Sequence, residues 1–199
     1  MPKRKIDADN EKPESESTDN KKAHWSLGLL KSINDPELIV KSDDLVTVIK
    51  DAYPKAEFHY LVLPKEDISS LKALKKEHVP ILKHMEEVAK KLIGDEKHKH
   101  RNFKLGYHAE ASMARLHLHI ISDDMNSPCV KTKKHWNSFT TNFFLSSTDV
   151  WKSLKENGEV TLPSKETCVQ LMNTPLKCHK CDYLPKHCPD LKMHIKSHI

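Results

Sequence analysis

Glycine is scarce in this sequence of 199 residues, with only four, at positions 28, 94, 106 and 158. No two of them are close enough to form the glycine-rich loop that cradles phosphate in many nucleotide-binding proteins. A phosphate ligand would therefore have to be held by side chains or by ordinary strand and helix ends.

Long apolar runs and a paired set of cysteines are also missing. No run approaches the roughly 18 to 20 apolar residues of a membrane span, and the N-terminus has no apolar signal core. The five cysteines are an odd number, and Cys129 and Cys168 stand apart from the rest, which argues against a secreted disulfide framework. We therefore predict a soluble protein of a reducing intracellular compartment.

The residues that are present favour two small units and an anionic partner. A hydrophobic fraction of 37% is enough for the core of one ordinary domain beside a small module. The net charge of +5 favours nucleic acid or nucleotide as partner, although it also suits plain solubility. Residues 1 to 22 hold six basic and six acidic groups and no aromatic residue, which predicts a disordered tail. Within this tail, the basic run at residues 2 to 5 resembles a nuclear import signal.

Hydrophobic periodicity predicts an α+β fold with an antiparallel sheet. Strands are expected over 45–50, 58–63, 103–108 and 116–122, and helices over 24–31, over 66–92 with Pro80 starting its second part, and over 148–155.

Two histidines stand two apart in the last predicted strand, R-L-H-L-H-I-I-S (115–122). Side chains two apart share one face of a strand, so Arg115, His117 and His119 should project together. An exposed strand face that happens to carry histidines is the simple alternative. A metal site is less favoured because no carboxylate shares this face. Imidazoles beside an arginine suit attack on a phosphate, one acting as nucleophile while its neighbours hold the oxygens.

The C-terminal segment C-H-K-C-D-Y-L-P-K-H-C-P-D-L-K-M-H-I-K-S-H (178–198) has the spacing of a zinc finger. Two cysteines with two residues between them are followed, after twelve residues, by two histidines with three residues between them. This spacing predicts one structural zinc ion. The predicted ligands are Cys178, Cys181, His194 and His198. His179, His187 and Cys188 are spare donors, and Leu191 is the expected core leucine. Pro185 occupies the usual aromatic position, which leaves Tyr183 or Leu184 to substitute and favours phosphate-backbone contact by the finger's lysines over sequence reading.

The histidine segment S-M-A-R-L-H-L-H-I-I-S (112–122) resembles the histidine-triad signature. Similarity to the aprataxin family of histidine-triad proteins, in a short form, extends over residues 24 to 199. It rests on the finger and on H-W-S-L-G-L, V-I-K-D-A-Y-P-K-A, H-Y-L-V-L-P, L-G-Y-H-A-E-A-S-M and S-P-C-V-K-T-K-K-H-W-N-S-F. The resemblance implies the histidine-triad fold and removal of AMP from adenylated 5′-phosphate DNA ends left by abortive ligation. His117 would attack the AMP phosphorus, water would then hydrolyse the adenylyl-histidine, and no metal would take part in the chemistry.

The resemblance also assigns the other site residues. His59 is the candidate general acid, and His119 would share phosphate binding. The nucleotide- and phosphate-binding set is Asp51, Lys55, His108, Ser112 and Arg115, and the DNA-binding set is Trp25, Lys133, Lys134, His135 and Trp136. Arg115 departs from the family, which has a histidine there, and since a guanidinium cannot exchange protons it would hold phosphate oxygens only. A core tryptophan at 25, a turn at Asp51 and a solvated loop with a buried indole at 136 are the simple alternatives.

These observations predict a disordered tail (1–22), a histidine-triad catalytic domain (23–145) and a connector helix with a zinc finger (146–199, metal core 178–198). The longer aprataxins carry an N-terminal phosphopeptide-binding domain, which a 22-residue tail cannot form. The expected partner is damaged or nicked DNA with 5′-AMP ends, or an RNA–DNA junction, with AMP as product and no membrane. We expect a monomer located in the nucleus, with the cytoplasm as second location.

Two other functions remain open at this point. One is a general histidine-triad hydrolase of free nucleotides or phosphoramidates, against which the finger and the basic K-T-K-K-H-W segment argue. The other is a DNA-binding adaptor in which Arg115 marks the loss of catalysis.

Overall fold

A computed structural model describes residues 28–199. Its six strands form one antiparallel sheet in the order β1-β2-β3-β5-β4-β6. The strands are β1 (Ile39–Ser42), β2 (Val46–Lys50), β3 (His59–Pro64), β4 (Phe103–His108), β5 (Leu118–Ser122) and β6 (Phe144–Ser146). The predicted α+β class with an antiparallel sheet is confirmed.

The helices are α1 (Gly28–Ser32), α2 (Val79–Ile93), α3 (Lys133–Thr140), α4 (Ser147–Asn157), α5 (Lys165–Asn173) and α6 (Cys188–Ile195). Short 3-10 turns occur at Leu71–Ala73, Lys76–His78, Glu96–His98 and Lys196–His198. No helix within residues 28–199 has the length and apolar character to span a membrane.

The predicted helix over 66–92 is wrong in its first half, where only two 3-10 turns form. Tertiary pairing overrides the helical pattern there, because the backbone N–H groups of Arg115 and Leu116 donate to the carbonyls of Ser69 and Ile68. The second half begins where expected, with Pro80 in the first turn of α2.

Further differences concern elements the sequence pattern did not predict correctly. β1, β6 and α5 were not predicted. The end of the basic segment before Trp136 belongs to a helix, α3, whose start is capped by the Thr132 side chain accepting from the His135 N–H. The strand expected from residue 116 begins at Leu118, because Arg115 has a φ of 92°, which interrupts extended backbone.

The sheet separates two apolar layers. On one face, Val62, Leu118 and Ile120 pack with Leu82 and Met85 of α2. The opposite face carries the polar groups of interest, because the pairing of β3 with β5 puts His59 opposite Ile121 and Leu61 opposite His119. Alternation along the strands therefore places the predicted histidines on the face away from α2.

Candidate active site and zinc finger

His117 lies immediately before β5 and is buried, with 5% of its surface exposed. Its Nδ1 atom is 2.9 Å from the backbone oxygen of Arg115. Since a carbonyl oxygen can only accept, Nδ1 carries the proton and donates it. The neutral ring then has a free electron pair on Nε2, which is the form a nucleophilic imidazole needs.

Two hydrogen bonds in series determine which nitrogen of His119 carries the proton. The backbone N–H of Lys55 donates to Nδ1 of His59 over 3.2 Å, and Nε2 of His59 lies 3.0 Å from Nδ1 of His119. Because Nδ1 of His59 accepts, its Nε2 carries the proton and donates to His119. The proton of neutral His119 therefore sits on Nε2, a buried atom without a hydrogen-bond partner among the described residues. His119 can therefore donate a hydrogen bond from Nε2, whereas His117 offers an electron pair on Nε2.

His108 at the end of β4 completes a cluster of four imidazoles. Its ring centroid lies 4.4 Å from that of His119, and its Nε2 is also buried with no partner in residues 28–199. The ring of Phe139 on α3 lies against three of the four, with centroid distances of 4.6 Å to His108, 5.3 Å to His119 and 5.4 Å to His59. This packing restricts the orientations of the imidazoles.

Burial keeps this cluster uncharged. Desolvation lowers the pKa of His59 to about 4 and that of His108 to about 3. Desolvation also lowers the pKa of His117 and, further, that of His119, where the neighbouring imidazoles add to the effect. All four rings are therefore neutral at pH 7, as the two hydrogen-bond assignments require.

Asp51 and Lys55 lie beside the cluster, in the turn after β2, and both contact His59. Oδ1 of Asp51 accepts from the Tyr53 N–H over 2.7 Å, and its Oδ2 lies 3.5 Å from Nδ1 of His59. That second contact would be a hydrogen bond only if Nδ1 of His59 carried a proton, and the shorter bond from the Lys55 N–H makes Nδ1 the acceptor instead. The Lys55 ammonium donates to the Tyr53 carbonyl. Ser112 is exposed on the loop between β4 and β5.

A cavity of about 170 Å³ opens at the end of the sheet between β4 and β5. His108 and His117 line it, together with Leu71, Tyr107 and Leu116. His117 is therefore reached from outside through this cavity although most of its ring is covered.

Arg115 lies outside β5 and its guanidinium turns to the end of β3, although the residue lines the same cavity as His117. Its Nη2 donates to the carbonyls of Pro64 and Lys65 over 2.8 and 2.9 Å. The physical reason is the φ of 92°, which turns the chain before the strand begins. The guanidinium is thus engaged with backbone at the end of β3.

The predicted DNA-binding residues differ in their surroundings. Trp25 lies outside the described residues. Lys134 is exposed, whereas the Lys133 ammonium donates to the Asn173 carbonyl over 2.8 Å. His135 is half-buried, and its pKa is lowered by desolvation and by the charges of Lys55 and Lys131.

Trp136 is buried, with 1% exposed, so it does not flank a bound strand as predicted. Its Nε1–H donates to the Lys177 carbonyl over 3.0 Å, and this bond joins α3 to the chain entering the zinc finger. The alternative of a buried indole is the one observed.

The four predicted zinc ligands converge. One ligand atom from each of Cys178, Cys181, His194 and His198 lies within 4.8 Å of the others. Sγ of Cys181 is 3.1 and 3.4 Å from the Nε2 atoms of His194 and His198, and these two nitrogens are 3.1 Å apart. Ligands held by one tetrahedral zinc lie roughly 3.3 to 3.8 Å apart. The donor set and its spacing therefore fit a structural zinc ion.

The two spare histidines have other partners. Nδ1 of His187 accepts from the Asp190 N–H and caps α6, and Nε2 of His179 lies 2.6 Å from the Asp123 carbonyl, to which it donates. Neither these two nor Cys188 belongs to the ligand group. Of the two candidates for the aromatic position, Tyr183 stacks its ring on His194 with centroids 4.0 Å apart, whereas Leu184 is 69% exposed.

The finger and the sheet share one apolar cluster. Cys178 and Leu191 of the finger are buried in it with Ile121, Trp136 and Phe139. Phe139 is the site residue that the sequence reasoning missed. Its spacing of three residues from Trp136 on a helix is the signal that places both on one buried face.

Comparison with known protein families finds two matches. Residues 24–135 match the family model described as scavenger mRNA decapping enzyme C-term binding, and residues 140–199 match the C2HE / C2H2 / C2HC zinc-binding finger. The first match covers more than half of the chain.

Similar proteins are found among curated sequences and solved structures. Aprataxin of Danio rerio is 51% identical over 177 residues, which are 88% of this chain and 54% of that protein. Aprataxin of Ciona intestinalis is 47% identical over 190 residues, 92% of this chain and 50% of that protein. The chain thus spans about half the length of these relatives. The crystal structure of the aprataxin ortholog Hnt3 in complex with DNA matches with a TM-score of 0.72 at 24% identity, over 89% of this chain and 94% of that one.

The structural match supports the fold, and the sequence matches support the family. The chain belongs to the aprataxins, and its residues 24–135 belong to the family of the first model.

Proposed function

We propose that this protein removes AMP from adenylated 5′-phosphate ends of DNA. The observation that carries the proposal is the tautomer of His117, whose Nδ1–H donates to the Arg115 carbonyl and whose Nε2 is left free. Family membership supports the choice of an adenylated nucleic acid end as substrate, and the basic net charge suits it.

In the first step, the electron pair on Nε2 of His117 attacks the phosphorus of the AMP group. A phosphorus–nitrogen bond forms, and the bond from that phosphorus to the oxygen of the DNA 5′-phosphate breaks. The DNA leaves with a free 5′-phosphate. In the second step, water attacks the same phosphorus and the phosphorus–nitrogen bond breaks. AMP is released with the new oxygen, its proton passes to solvent, and the electron pair returns to Nε2 of His117.

The neighbouring groups stabilise the charge that moves during both steps. Nε2–H of His119 is the donor that would touch a phosphoryl or leaving oxygen, and His59 stands behind it. The predicted role of His59 as general acid would thus operate through His119 rather than by direct contact. Lys55 would add positive charge near the phosphate. Because imidazoles supply the nucleophile and the donors, we propose that the chemical step needs no metal.

The finger would hold the DNA beside this site. Its ligand group fits one zinc ion, and Lys186, Lys192 and Lys196 add charge to its surface without the aromatic spacing of a sequence-reading finger. The aprataxin ortholog Hnt3 was solved with DNA, which supports the same class of partner. The other parts of the proposal are a nuclear location and action as a monomer on DNA or RNA–DNA ends.

A nicked duplex carrying a 5′-adenylate tests the proposal. The native protein should release AMP and leave a 5′-phosphate, whereas His117→Ala should release none above background. The matched control is His100→Ala, which removes an exposed imidazole that bonds only to Glu57 at the surface. AMP release that survives in His117→Ala would refute the nucleophile.

The same protein preparations separate the other two functions. A general histidine-triad hydrolase would cleave AMP-lysine or dinucleoside polyphosphates faster than the nicked duplex. An adaptor would bind the duplex but release no AMP. The duplex with a 5′-terminal ribonucleotide, run in parallel, measures the preference for RNA–DNA junctions.

A further inference from the structure

The first position of the histidine motif carries an arginine whose side chain is already engaged. Nη2 of Arg115 donates to both the Pro64 and the Lys65 carbonyls, and Nη1 lies 3.9 Å from Oδ1 of Asp67. The side chain is 12% exposed, and its Nε is buried without a partner among the described residues. Two of the five N–H donors of the guanidinium are thereby bonded to backbone, which ties the side chain to the end of β3.

The backbone of the same residue is tied in two further ways. Its N–H donates to the Ser69 carbonyl over 3.0 Å, and its carbonyl accepts from Nδ1 of His117 over 2.9 Å. Its φ of 92° is unfavourable for a residue with a side chain, so other contacts must hold it. The guanidinium bonds to residues 64 and 65 and the N–H bond to residue 69 are the contacts that do so.

These contacts form a chain from the side chain to the nucleophile. The end of β3 and residues 65 to 69 are fastened to Arg115, and the carbonyl of Arg115 fixes the proton of His117 on Nδ1. We propose that Arg115 is a positioning residue, which clamps the 64–69 segment with its guanidinium and thereby holds the carbonyl that sets the His117 tautomer.

The inference rests on the proposed function and changes the role expected of this residue. A phosphate ligand at position 115 would act on substrate binding. A clamp would act on the nucleophile and leave binding of the nucleotide nearly unchanged. An arginine in place of the family's histidine would then change how the nucleophile is held, and the chemical steps would stay the same.

Two measurements on the 199-residue chain distinguish the roles. The first compares kcat and KM on the adenylated nick, and the affinity for AMP, between the native protein and Arg115→Met. The second determines the tautomer of His117 by 15N–1H correlation spectra of the imidazoles, with the His117 signals identified from the His117→Ala spectrum. The matched control is Arg101→Met, which removes an arginine paired with Glu57 at the surface.

The clamp predicts that Arg115→Met lowers kcat about 10- to 100-fold, since small misplacements of a catalytic group cost that much. The His117 spectrum should change from the Nδ1–H form to a mixture of tautomers, while the AMP affinity stays within about twofold. Arg101→Met should match the native protein in all three. An unchanged kcat, an unchanged tautomer, or a loss confined to KM and AMP affinity would overturn the proposal.

A second variant keeps the proposal testable if Arg115→Met does not fold. Arg115→Lys keeps the charge on a shorter side chain with a different donor geometry. The clamp predicts a lower kcat and a disturbed His117 tautomer in this variant, and a phosphate ligand predicts a change in KM alone. If the native protein releases no AMP, the proposed function fails, whereas the tautomer comparison still decides for or against the clamp.

Discussion

At the scale of single residues, backbone groups decide which nitrogen of each histidine carries the proton. The Arg115 carbonyl holds the proton of His117 on Nδ1, and the Lys55 N–H takes Nδ1 of His59 as acceptor. His117 thereby becomes an electron-pair donor, and His119, two positions later in the sequence, becomes a hydrogen-bond donor. Both assignments depend on the rings being neutral.

Acid should therefore weaken the folded protein. The pKa of His59 is lowered to about 4 and that of His108 to about 3, from 6.5 in the unfolded chain. The unfolded state binds more protons between these values, so the free energy of unfolding should fall as the pH drops from about 6.5 towards 4. Urea unfolding at pH 7.5, 6 and 5 measures this, and His59→Asn should reduce the dependence.

The pH dependence of the reaction follows from the same shifts. Because the pKa of His117 is lowered, protonation of the nucleophile should not reduce kcat between pH 8 and about 6.5. A decline in kcat centred at or above pH 6.5 would contradict the neutral cluster.

Gly106 is the glycine whose lack of a side chain is required by packing. A Cβ built there would lie 2.3 Å from the Leu145 carbonyl and 2.7 Å from the ring of Phe144. We expect Gly106→Ala to lower the free energy of unfolding by about 1 to 3 kcal/mol, because β6 must move away from β4. Thermal unfolding measures the change. Gly94→Ala, where the nearest atom is 3.4 Å away, is the control and should stay near the native melting temperature.

At the scale of elements, α3 links the zinc finger to the imidazoles. It begins at the Thr132 cap, and its buried face carries Trp136 and Phe139. Trp136 bonds to the chain entering the finger, and Phe139 packs on His59, His108 and His119. The helix that includes the end of the basic segment predicted to meet DNA thus also supports the imidazole cluster.

Removal of the Phe139 ring should reduce both stability and activity. Phe139→Ala should lower the free energy of unfolding by about 3 to 5 kcal/mol, because it leaves a cavity against the imidazoles. Phe139→Leu keeps most of the volume and should cost under about 1.5 kcal/mol. If the ring orients the histidines, Phe139→Leu should still lower kcat on the adenylated nick. A native kcat in that variant would show that only its volume matters.

At the scale of the whole molecule, the finger is packed as part of the same body as the sheet. Cys178, Leu191 and Ile195 share a buried cluster with Ile121 and Trp136. His179 donates to the Asp123 carbonyl, and the Lys180 ammonium lies 3.3 Å from the Asp123 carboxylate. The predicted boundary at residue 146 therefore separates sequence segments that have a common core.

Zinc removal should consequently affect more than the finger. Zinc binding to such fingers is worth roughly 10 to 16 kcal/mol, and without it the finger residues should leave the shared cluster. A strong chelator, or Cys181→Ser, should lower the melting temperature of the whole chain and the rate of AMP release together. Added zinc should restore the chelated protein. A finger that unfolds in a separate transition while kcat stays constant would contradict the shared core.

The sequence by itself determined the local features, because these depend on spacing along the chain. Alternation in β5, the proline that starts α2 and the C-x-x-C and His-x-x-x-His spacing of the finger each follow from the geometry of one element. They were enough to predict the antiparallel sheet, the paired histidines and the zinc ligands. The similarity to aprataxins added the reaction that these residues would perform.

Only the tertiary structure decided what depends on contacts between distant segments. Contacts between residues about 40 or more positions apart accompany three features. These are the backbone turn at Arg115, the burial of Trp136 and the pairing of residues 68–69 with 115–116. The His117 tautomer is the clearest case. A neutral imidazole has two nearly equivalent proton positions, and a carbonyl held by remote contacts is what selects one of them.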